Sequence, residues 1–196
     1  MVNQERNKGF FFALLLLTTV MFSSCFTKDD TDKANKLVAE SNEELKSVTR
    51  IFEESEKKVA DLRQAIKEEN VEQVKVLLTD LIGLIDKGLS HGRIAASKSE
   101  EASKLNLGKE FKQYLDFKSQ SYRKQIEAFE ERKRSAEVFR NAYGSQDKEL
   151  MNKAKKDFSD STDKYKKLLE EAKDLSEQAN RIAREHPNKI KSVSDR

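Results

Sequence analysis

The chain has 196 residues, 37% of them charged and 36% hydrophobic, with one Pro, six Gly and no Trp. Charge that dense and proline that scarce suit long, solvent-facing helices better than a thick globular core. Lys and Arg number 38 against 35 acids, a formal net charge of +3, which removes the electrostatic case for nucleic acid as a partner.

The N-terminus comes first. Residues 2–9 carry Arg6 and Lys8 against Glu5. The apolar run that starts at Phe10 ends near Phe22, short of the roughly 20 residues a spanning helix needs. Ser23 and Ser24 then precede Cys25, the single cysteine. An apolar residue, two small residues and a cysteine, here Phe22-Ser23-Ser24-Cys25, resemble the lipobox of a bacterial lipoprotein precursor. The resemblance covers residues 1–25 and implies removal of residues 1–24 and a thioether from Cys25 to diacylglycerol. Acyl chains bury roughly 0.8 kcal/mol per methylene, so two or three of them imply a permanent membrane anchor. The implied address is the bacterial cell envelope, with the leaflet, and periplasmic or surface display, left open. Acylated Cys25 leaves no thiol, so disulfides have no part in stability.

Residues 25–31 then read as the lipidated cysteine and a short polar tether, reaching only about 20 Å at full extension. From there the apolar pattern predicts four helices, over about 32–69, 71–104, 108–143 and 146–186. In the first, Val38, Leu45, Phe52, Val59 and Ile66 recur every seven residues, beside a second row of Ser41, Val48, Ser55 and Leu62. The phase breaks before Val71, where Asn70 and Gln73 form a capping signal. The second seam runs Val71, Val74, Leu78, Leu81 and Ile85, then turns to small residues at Gly88, Gly92, Ala95, Ser99 and Ala102. Those glycines lower helix propensity and predict a kink near Leu89–Arg93.

A turn at Leu105–Gly108 leads into an aromatic-rich third helix whose seam is Phe111, Leu115, Tyr122, Phe129, Ala136 and Tyr143, supplemented by Ile126 and Phe139. Lys118, Gln125 and Lys133 interrupt it. Gly144-Ser145 marks a stop followed by a start. The fourth helix runs through Ala154, Phe158, Tyr165, Leu168, Ala172 and Ile182 until Pro187 ends it, leaving a basic tail over 188–196. Short turns force antiparallel neighbours, so the expected fold is all-α: an elongated up-down-up-down four-helix bundle with coiled-coil-like heptad packing, about 50–60 Å long.

Chemistry is sparse. The two histidines, His91 and His186, lack the Glu-x-x-His spacing of di-iron bundles, and no phosphate loop or nucleophile elbow occurs. The expectation is no catalytic residue, no metal and no cofactor. Tyr114, Phe117, Tyr122 and His91 are candidates for contact with a partner or ligand, since an aromatic set partly off the main stripe can be exposed. Arg184, Lys189 and Lys191 are candidates for lipid headgroup contact. The expected function is that of a membrane-anchored, non-enzymatic module working by protein–protein contact in the envelope. The alternative is a carrier holding lipid or quinone between the small-residue half of the second helix and the aromatic third. Heptads this long also leave room for a homodimer.

Overall fold

A computed structural model describes residues 29–191, and among them the fold is all-helical, without a strand. α1 spans Thr31–Lys67, α2 Val71–Ser103, α3 Lys109–Ala142 and α4 Lys148–Glu185. The Phe22–Cys25 motif, the start of the tether and tail residues 192–196 lie outside the described residues. Each helix packs on the next in the chain, α1 on α2, α2 on α3 and α3 on α4, whereas the backbones of α1 and α4 scarcely approach. No helix among the described residues is long and apolar enough to cross a membrane.

Local chemistry sets the helix ends. Asn70 Oδ1 accepts from the Gln73 amide at 3.1 Å and so caps α2. Just before it Glu69 takes a positive φ of 54°, which lets the Asn70 amide reach back to the Ala65 carbonyl at 3.1 Å. At the start of α4 the cap falls to Asp147, not Ser145: its Oδ1 accepts from the amides of Glu149 and Leu150 at 3.0 and 3.1 Å. A carboxylate complements the positive helix N-terminus better than a hydroxyl, and Ser145 Oγ instead accepts from the Asp147 amide at 3.1 Å.

The buried interior falls into two apolar clusters. One gathers Val48, Val59 and Leu62 with Leu78, Leu81, Ile85, Phe129, Phe139, Tyr165 and Leu168. The other gathers Leu37 and Val38 with Leu107, Phe111, Tyr114, Leu115, Ile182 and Ile190. Along α1, α2 and α3 buried polar side chains lie between them, Ser41 and Asn42, Ser99, then Lys118, Ser119 and Ser121, beside the buried Ala95, Ala96 and Tyr122.

One expectation needs correction. Leu45, Phe52 and Ile66 are only half-buried, while Ile51, from neither expected row, lies in the core at 7% exposure. The second row, Ser41, Val48, Ser55 and Leu62, stays buried along its whole length, so α1 turns that row to its neighbours, with Ile51 beside it, and leaves much of the first row at the edge of the interface. The small-residue half of α2 is helical throughout, Gly88 and Gly92 included. Its space is taken by neighbours: a Cβ on Gly88 would lie 3.4 Å from Ile51 Cγ2, and one on Gly92 3.5 Å from Ile126 Cγ1.

Candidate functional site

Lys118 is the most unusual group in the interior. Tyr114, Lys118 and Tyr122 sit four residues apart on α3 and so share one face. The ammonium lies 6.0 Å from the Tyr114 ring centre and 5.9 Å from that of Tyr122, and the residue is 8% exposed. No carboxylate among the described residues pairs with it. Burial therefore lowers its pKa to about 8, and the same desolvation pushes the Tyr122 phenol up to about 12 and that of Tyr114 further still.

The serine hydroxyls near it, and that of Tyr122, have partners within the chain. Ser41 Oγ lies 3.0 Å from the Ala95 carbonyl oxygen and 3.2 Å from the Tyr122 hydroxyl. Ser99 and Ser119 meet at 3.1 Å, and Ser121 Oγ donates to the Ala172 carbonyl at 2.7 Å. A desolvated amine is a competent nucleophile, but a Schiff-base site also needs an acid–base partner and an entry path. Lys118 has two aromatic rings in those places. The layer ties α1, α2, α3 and α4 together at one level.

A second buried cation lies in the larger cluster. Arg132 is 5% exposed, with its guanidinium carbon 4.4 Å above the Tyr165 ring and Nη2 3.5 Å from Glu56 Oε1. Its Nε is buried without a partner among the described residues. This one side chain from α3 touches α4 and α1 across the interior.

The other sequence candidates separate. Tyr114 and Tyr122 are 1% and 3% exposed, so they form no outward-facing patch, and Phe117 is half-buried against the smaller cluster. The reason is that α3 packs on both α2 and α4, which buries a wider face than a single stripe. His91 is half-exposed, with Nδ1 2.6 Å from Glu44 Oε2 on α1. Arg184 is exposed at the end of α4.

Lys189 Nζ lies 3.4 Å from Glu110 Oε2. Residues 188–191, the part of the basic tail among the described residues, are docked. Asn35 Nδ2 donates to the Lys189 carbonyl at 3.0 Å, and Asn35 Oδ1 accepts from the Lys191 amide at 2.9 Å. This clamp seats Ile190 in the smaller cluster at 1% exposure. Sequence reasoning missed Ile190; the signal was a bulky apolar residue standing between two lysines.

At the surface, the seams between helices differ. α1 and α2 are bridged by Lys98–Glu40, His91–Glu44 and Lys58–Asp80. α2 and α3 carry Lys133–Asp86, Arg93–Glu130 and Arg123–Glu100, and α3 and α4 carry Lys164–Glu131 and Lys124–Glu171. Among the described residues no ion pair joins α1 to α4. A groove of about 330 Å³ lies there instead, lined by Val59, Leu62, Ile66 and Arg63 of α1 and by Lys155, Phe158, Ser159, Thr162, Asp163 and Lys166 of α4. Compared with known protein families, curated proteins and solved structures, the chain matches none.

Proposed function

We propose that this is a lipid-anchored envelope protein whose four helices form an antiparallel up-down-up-down bundle and work by protein–protein contact, without catalysis. The antiparallel order is supported by the seam pairs, whose numbers fall on one helix as they rise on the next: 40 with 98, 44 with 91 and 58 with 80. The buried row of α2 from Val74 to Ala102, and that of α4 from Ser161 to Ala172, spaced three and four residues apart, support coiled-coil-like packing. The Asp30 amide donates to the Asn106 carbonyl at 3.2 Å, which in such a bundle places the chain entry and the α2–α3 turn at one end with the Ile190 latch. The segment from Cys25 to Asp30 reaches about 17 Å, so this end would face the lipid surface.

One observation favours contact over carriage. The space beside Gly88 and Gly92 on the small-residue stripe of α2, where an apolar ligand would need room, is filled by Ile51, Phe129 and Ile126. Native mass spectrometry of the full-length protein, extracted gently from its own membranes, tests both halves of the proposal. The expected mass is a chain cut before Cys25 and carrying acyl groups, with no small apolar molecule retained. An unacylated chain overturns the anchor. A retained lipid or quinone overturns contact in favour of carriage, and the same spectrum counts the chains per assembly.

A further inference from the structure

We infer that the groove between α1 and α4 docks an amphipathic helix with acidic flanks from a partner protein. The inference rests on the protein-contact reading and names the surface and the partner chemistry. The floor is apolar, with Val59, Leu62, Ile66 and Phe158. The cations Arg63 on one wall and Lys155 and Lys166 on the other are exposed, and none is in an ion pair among the described residues. Elsewhere each seam is closed by opposite charges reaching across it. Here three of the four charged residues in the lining are basic and Asp163 is the one acid, so no opposite-charge pair closes the seam.

An apolar floor between basic rims fits an amphipathic helix whose apolar stripe lies between glutamates or aspartates. The lining from Lys155 to Lys166 runs about 16 Å, enough for some three turns of such a helix. Val59 stands about 40 Å along α1 from Thr31, far from the lipid surface in the proposed orientation, which favours a protein over a membrane as the occupant. A second copy of this chain fits less well, because a two-fold pairing of the groove on itself sets the same cations opposite each other.

The test uses full-length protein in detergent and two labelled synthetic helices of about 20 residues with the same apolar stripe, one flanked by Glu and one by Lys. Fluorescence anisotropy at low salt should show the Glu peptide binding at least ten times more tightly, with the preference fading as salt rises. The triple variant R63E/K155E/K166E should reverse the order of the two peptides. Ser159→Trp, which fills the groove from an exposed position, should weaken both while leaving the melting temperature unchanged. Equal binding of the two peptides, or an order that survives charge reversal, overturns the inference. So does binding to anionic vesicles without binding to the Glu peptide, or a dimer that the triple variant converts to monomer.

A photo-crosslinker placed in cells at Ser159, and in turn at the exposed Val76, Ile94, Val138 and Leu150, separates this failure from that of the underlying reading. A discrete protein adduct from another face but not from Ser159 sinks the groove and keeps the contact reading. No adduct from any position sinks both.

Discussion

Lys118 costs the fold stability at neutral pH, and the cost has a definite pH window. Burial lowers its pKa from 10.5 to about 8, equivalent to about 3 kcal/mol against the charged folded state. Attraction to the faces of Tyr114 and Tyr122, about 0.5–1 kcal/mol each, offsets part of that. Lys118→Met should therefore stabilise the protein by about 2 kcal/mol at pH 7. Because the folded pKa lies below the unfolded one, the penalty is complete below pH 8. It is relieved as pH rises towards 10.5, where the folded amine has lost its proton and the unfolded one still holds it. The advantage of the variant should shrink across that window. Denaturant unfolding of both proteins from pH 7 to 10.5 checks this, with the tyrosine contributions common to both. A loss of stability at pH 7, or a gain indifferent to pH, would show that the ammonium is stabilised by its neighbours.

The tail latch gives a second prediction at this scale. Ile190→Ala should cost about 2 kcal/mol for the apolar volume withdrawn from the smaller cluster. Asn35→Ala, which removes both bonds to the tail backbone, should cost about 1–2 kcal/mol. Each should speed carboxypeptidase trimming past Lys191. Trimming at the unaltered rate would mean that the tail is held by something other than this clamp.

At the scale of elements, the turns separate substitutions that look alike in sequence. Gly144 has φ +81°, and a Cβ there would lie 2.5 Å from Val71 Cγ1 on α2. Gly144→Ala should cost about 2 kcal/mol or more, from backbone strain and the clash together. Gly83, inside α2, has nothing within 4 Å of a Cβ, so Gly83→Ala should gain about 1 kcal/mol. Glu69, at φ 54°, holds a glycine's conformation, and Glu69→Gly should gain about 1 kcal/mol. Thermal melts of the three variants suffice, and a destabilising Gly83→Ala would contradict the open surface at that position.

The turns also mark how far the sequence was legible. A stop at Gly144 and a cap at Asn70 are local signals, and local chemistry decides them. Ile51 entering the core in place of Phe52 depends on which face of α1 the other helices cover, which no single window contains. Lys118 was visible as an interruption of the aromatic seam, but its burial follows from α3 being covered on two sides. The absence of ion pairs between α1 and α4 is a property of helices far apart in sequence, so the candidate groove could not be read from the chain alone.

For the whole molecule, the polar layer divides the stability as well as the core. The cluster around Leu78, Leu81, Ile85 and Phe139 is built from large side chains of all four helices. The cluster around Phe111 and Ile182 includes Ala34, Ala102, Ala179 and Ala183 and depends on Ile190 from the tail. Between them an unpaired ammonium interrupts the apolar contacts that would make the two halves open as one. Native-state hydrogen exchange should accordingly show two levels. Amides in residues 34–38, 110–115 and 179–183 should open at a free energy roughly 2 kcal/mol or more below those in 77–85 and 128–139. Lys118→Met should bring the two levels together by making the layer continuous with both clusters. A single opening energy throughout the unaltered protein would mean that the serine hydrogen bonds, and not apolar contact, carry the coupling. In that case Ser121→Ala, which breaks the bond to Ala172, should be the substitution that splits the levels.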